Sequence, residues 1–108
     1  MNDDKSSAPP IHTEFIQKFP DLGRAWDFMT RAGEEGPLDA RTARLVKLAV
    51  AIGAGREGAV HASVRKGAAL GITQMDVNQV VALSASTVGL PAAVAAWSWC
   101  RDVLDDKG

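Results

Sequence analysis

The chain has 108 residues, 46% of them hydrophobic and 23% charged, with a formal net charge of -1. That length suits a single domain with a modest core, in which about 65% of the unfolded surface can be buried. The near-neutral charge excludes the basic stripe of a nucleic-acid binder. With no apolar run of about 18 residues, no transmembrane helix is expected, and hence no membrane partner. The polar start Met1-Asn2-Asp3-Asp4-Lys5 lacks the apolar segment of a secretory signal, and the single Cys100 leaves no internal disulfide, so a reducing cytoplasm is the expected compartment.

Residues 1–10, MNDDKSSAPP, are polar, end in two prolines and read as a disordered tail ahead of a single helical domain over 11–108. A short helix is expected over 11–19 with Thr13 as a possible cap. Pro20 then suits the first position of a second helix over about 21–32, whose Leu22, Ala25, Trp26 and Met29 share one face. Residues 33–37, Gly-Glu-Glu-Gly-Pro, form a loop.

Asp39 is a good N-cap for a third helix, whose apolar positions from Ala43 to Ile52 follow the helical period until Gly53 and Gly55 end it. A fourth helix spans about 57–70 and stops at Gly71. Thr73, with Asp76 three residues on, caps a fifth that runs to about Val88, and a last helix covers about 91–104. Strand-like alternation is absent, so the fold class is all-α with six helices. The alanines and serines between 82 and 96 are expected to let helices pack closely.

The order Leu38-Asp39-Ala40-Arg41-Thr42-Ala43-Arg44-Leu45, a glycine-rich turn, Leu70-Gly71-Ile72-Thr73, then Val80-Val81 and Val88-Gly89-Leu90-Pro91-Ala92-Ala93 resembles the carboxymuconolactone decarboxylase family of the alkylhydroperoxidase D-like (AhpD-like) superfamily. The resemblance covers about residues 38–96. It implies an all-helical subunit assembled as a homo-oligomer, commonly a homotrimer or homohexamer. Peroxidatic members use a Cys-x-x-Cys pair with a His four residues further on and a partner Glu. Counted back from Gly71, the resemblance would put those groups at Arg56, Ala59, Ser63 and about Arg44, so the chain is similar to a cysteine-less member and the paired-thiol route is absent. Cys100, beside Trp97 and Trp99, reads as a packing residue. One tryptophan is expected in the core and the other over an interface or pocket mouth.

Decarboxylase-type members resemble this chain in the Val64-Arg65 step, and there a His acts in acid–base work on a small lactone carboxylate. Position 63 is Ser here, and His61 lies about 200° away on a helix, so it cannot serve from the same face. His61 does lie four residues from both Glu57 and Arg65, so the three can form one column. A carboxylate beside a His sets its tautomer, and an Arg can hold a substrate carboxylate. His61 and Glu57 are therefore the candidate catalytic pair, with Arg65 and Arg56 as candidate substrate-binding cations. The Gly53–Gly55 turn is expected to offer free N–H groups to an anion.

His12 is expected to be exposed, and Arg41, Arg44 and Lys47 to form a solvated basic stripe or interface ion-pair set. Two distant histidines and one cysteine imply no metal and no cofactor. Three functional readings follow: His/Glu acid–base action on, or binding of, a small organic acid; the peroxidase or antioxidant activity of the superfamily; and a non-catalytic oligomeric scaffold.

Overall fold

The computed structural model describes residues 10–105, and among these every regular element is a helix. The tail expected at 1–10 lies outside the described residues up to residue 9, while Pro10 already belongs to the first helix. The chain falls into two compact units that meet in sequence between Leu38 and Asp39.

The first unit holds α1 (Pro10–Lys18) and α2 (Pro20–Glu34). Thr13 lies inside α1, so the helix begins before the cap that Thr13 would have supplied. Pro20 sits in the first turn of α2, where its missing N–H costs nothing. Gly23 of α2 faces Ile16 of α1. A Cβ there would come within 2.7 Å of Ile16 Cγ2, so glycine is what lets the two helices approach. Phe15 and Phe19 meet with their rings tilted at 47° and the centroids 4.9 Å apart. Leu22, Trp26 and Met29 stay largely exposed.

The second unit holds α3 (Ala40–Ala54), α4 (Glu57–Ala68), α5 (Gln74–Val88) and α6 (Leu90–Asp105). Two of the starts, those of α3 and α5, have a side-chain cap. Asp39 accepts from the Thr42 N–H at 2.7 Å and caps α3. Thr73 and Asp76 exchange side-chain and backbone bonds in a capping box that opens α5. Gly55 closes α3 in the left-handed region at φ +66°, and Gly89, at φ +91°, turns the chain from α5 into α6.

The four helices pack in a ring, α3 on α4, α4 on α6, α6 on α5 and α5 on α3. Their shared core contains Leu48 and Ile52 from α3, Val60 and Val64 from α4, Val77 and Val81 from α5, and Ala93, Ala96 and Cys100 from α6, with Ile72 from the loop before α5. Alanines on α6 let that helix come close, as the small-residue pattern implies. Trp99 packs against this core. Trp97 is 40% exposed and donates from Nε1 to Asn78 Oδ1 at 3.0 Å, with the Arg101 guanidinium over its ring.

Leu48 is 2% exposed, so Leu48→Ala is expected to cost about 2–5 kcal/mol through lost burial and a residual cavity, read by urea unfolding. Thr73→Ala should cost about 1 kcal/mol by removing the cap of α5. Asp76 is held below the usual carboxylate range, first by the Thr73 N–H, then by the Arg41 guanidinium and the Thr73 hydroxyl. Its stabilising effect is therefore present above about pH 4 and fades as the pH falls through the lowered value. Asp76→Asn should make unfolding midpoints less sensitive to acid in that window.

Candidate functional site

The face that α4 buries decides where its polar groups go. Val60, Ser63, Val64 and Gly67 point inward at helical spacing. Gly67 belongs there because a Cβ would sit 3.2 Å from Ile72 Cδ1. His61 and Arg65 then fall at the edge of the buried face, each partly covered, and Glu57 is exposed at the helix start.

His61 meets two carboxylates. Its Nε2 lies 3.1 Å from Asp102 Oδ2 on α6 and 3.9 Å from Glu57 Oε2 on its own helix. The Glu57 contact is the one expected from the i,i+4 spacing, and Asp102 is the nearer. An ionised carboxylate can only accept, so the Asp102 bond calls for the proton on Nε2 and leaves the Nδ1 lone pair as the basic site of the ring. The side chain of His61 is 27% exposed, and those of Glu57 and Asp102 are each more than half exposed. Ligand atoms of the three lie within 4.8 Å of one another, close enough for a divalent cation to draw together. Local sequence pattern implied no such cluster, because Asp102 is 41 residues from His61 and reaches it only through the packing of α4 on α6.

The other candidate residues are placed differently. Arg56 occupies the N-cap of α4, is exposed, and makes no side-chain cap bond. The Gly53–Gly55 turn does not offer the expected N–H groups. Gly55 N–H donates to the Ile52 carbonyl at 3.0 Å, and Arg56 N–H to that of Ala51 at 3.1 Å. His12 is partly covered within α1. Arg65 lies one turn beyond His61, and its Nε is buried with no hydrogen-bond partner.

The basic stripe on α3 divides. Arg41 binds Asp76 at 2.6 Å and ties α3 to α5. Arg44 is partly buried, its Nε also has no partner, and burial lowers its pKa. Lys66, after Arg65 on α4, is lowered too, first by burial and then by repulsion from Arg44, Lys47 and Arg65.

A groove of about 570 Å³ runs along the second unit between α3 and α5. Leu45, Val46, Ala49, Leu83 and Val88 give it an apolar lining, and its one carboxylate, Asp76, is already bound to Arg41. None of Glu57, His61, Arg65 or Arg56 lines it.

The sequence profile of the carboxymuconolactone decarboxylase family matches residues 20–102. No curated protein and no solved structure matches the chain.

Cys100 is fully buried in the core, and its thiol is pushed up to about 11 by burial and by the nearby Asp102 charge. In the folded protein it should resist a thiol-specific disulfide reagent at pH 8 and react fully in denaturant, with absorbance of the released thiolate as the readout.

Proposed function

Because the chain belongs to the carboxymuconolactone decarboxylase family, we propose that it binds and acts on a small organic acid, with His61 as the acid–base group. The observation that carries this reading is the partly covered imidazole bonded at 3.1 Å to Asp102, with Glu57 at 3.9 Å. Asp102 and Glu57 orient the ring and balance the imidazolium. Nδ1 takes a proton from the bound acid and returns it in a later step. Arg65, one turn along α4, holds the substrate carboxylate, and Arg56 adds positive charge at the other end of the helix.

The peroxidase reading lacks comparable support. It needs an accessible thiolate, and Cys100 is buried with a raised pKa. Self-association belongs to the same proposal. Leu22, Trp26, Met29, Val46, Val50, Leu83 and Leu90 are large apolar side chains left about half or more exposed in one copy of the chain, and a homotrimer or homohexamer would cover such surface.

The test is turnover and binding of a panel of small carboxylated lactones. His61→Ala is expected to lower turnover by about 10² to 10⁴-fold, the usual worth of a positioned acid–base group. Asp102→Asn should lower turnover about tenfold or more while leaving the Michaelis constant nearly unchanged, because the proton would then be held on the wrong nitrogen. Equal turnover by the parent protein and His61→Ala would rule out the acid–base role and favour a scaffold. Sedimentation equilibrium reads the assembly, and a monomer at micromolar concentration would reject the oligomer.

A further inference from the structure

Two acids converge on His61. Its Nε2 lies 3.1 Å from Asp102 Oδ2 and 3.9 Å from Glu57 Oε2, and ligand atoms of the three residues all lie within 4.8 Å of one another. Arg24 is paired with Asp21, Arg41 with Asp76 and Arg101 with Asp105, so none of these three cations neutralises Glu57 or Asp102. Arg101, the sequence neighbour of Asp102, also lies over the Trp97 ring. With a neutral imidazole the cluster carries two negative charges, which match a divalent cation.

Rigid elements hold the three donors. Glu57 and His61 are one turn apart on α4, whose Val60 and Val64 are buried in the core. Asp102 stands on α6 between the buried Cys100 and Val103, which packs against the same core. Since α4 and α6 pack on each other, the core itself sets the backbone positions of all three. The imidazole is partly covered, while both carboxylates are more than half exposed and can turn onto a common point.

Zinc holds an imidazole nitrogen at about 2.0–2.1 Å and a carboxylate oxygen at about 2.0–2.2 Å, which puts tetrahedral ligand atoms about 3.4 Å apart. The separations of 3.1 Å and 3.9 Å lie on either side of that value. One nitrogen donor with two carboxylates suits zinc and its first-row neighbours better than magnesium or calcium, which prefer oxygen alone. The scarcity of histidine and cysteine argues only against a site built from those residues, and here carboxylates make up the set.

We infer that Glu57, His61 and Asp102 form a binding site for a divalent transition-metal ion of the zinc type, with three protein ligands and an open position. A metal on Nε2 takes the place of the proton that the Asp102 bond holds there. The neutral ring then carries its proton on Nδ1 and loses the basic lone pair. Zinc therefore switches off acid–base action at His61. That consequence rests on the proposed function, and the site itself does not.

The experiment uses the full chain, freed of metal by a chelator and dialysed into a non-chelating buffer. It is titrated with zinc, cobalt or magnesium chloride and read by calorimetry, thermal melting and, for cobalt, visible absorption. Zinc should bind at one equivalent per chain and raise the melting temperature, and cobalt should give a visible band that zinc removes. Magnesium should bind at least tenfold more weakly. His61→Ala and Asp102→Asn should each weaken zinc at least tenfold, and Glu57→Gln supplies the same test should either fail to fold. His12→Ala should leave zinc affinity unchanged. Zinc affinity unchanged in folded His61→Ala, or magnesium bound as tightly as zinc, would overturn the inference. Saturating zinc should abolish turnover of the carboxylated lactones, and a chelator should restore it. Full turnover with the site occupied would overturn the switch. The two proposals fail separately. If the zinc-free parent and His61→Ala turn over lactones equally while only the parent binds zinc, the acid–base reading falls and the metal site stands. If turnover depends on His61 but zinc does not bind, only the metal site falls.

Discussion

The packing of α4 into the ring of four helices is the constraint on which the rest of the second unit depends. Val60 and Val64 are buried almost completely and face the core that α3, α5 and α6 share. Once that stripe is inward, the rotation of α4 is set to within a fraction of a turn. His61 must then lie to one side, within reach of α6. Arg65 stands one turn along and Lys66 a further 100° around the helix, where the charge of Arg44 on α3 is felt. Any change that rolled α4 would move both polar clusters together.

The two clusters have opposite electrostatic character. Around His61 the neighbours are carboxylates, Asp102 Oδ2 at 3.1 Å and Glu57 Oε2 at 3.9 Å. Around Lys66, partly buried on the same helix, the charges felt are cationic, from Arg44, Lys47 and Arg65. His61 and Arg65, on successive turns of α4, are the pair on which the proposed action on a small acid rests. Redox chemistry has no such support, because the one thiol of the chain is a core atom on α6.

The caps show how sequence signals serve tertiary structure. Asp76 belongs to the capping box of α5 and also holds Arg41 of α3. One side chain therefore opens a helix and pins it to its neighbour beside the apolar groove. With Arg41 engaged there, Arg44 is the member of the α3 stripe left facing α4 without an acid.

Local pattern in the sequence was sufficient for the elements. The 3.6-residue period, Pro20, the Asp39 and Thr73 caps and the glycines at 55, 71 and 89 act over a few residues, and the six helices sit within two residues of the expected bounds. Family membership was legible for the same reason, since its motifs are caps, turns and small packing residues in a fixed order. The contact of His61 with Glu57 could be read as well, being one helical turn. Asp102 could not, because its meeting with His61 depends on the register of α4 against α6, which no local spacing encodes. Nor could the fate of the basic stripe. Arg41, Arg44 and Lys47 are alike in sequence, and only the packing of α3 against α4 and α5 decided that Arg41 would find a carboxylate while Arg44 was partly buried with its Nε unpartnered. Secondary structure is decided by short-range sterics and hydrogen bonds, whereas a site assembled from different helices is decided by which faces the core consumes.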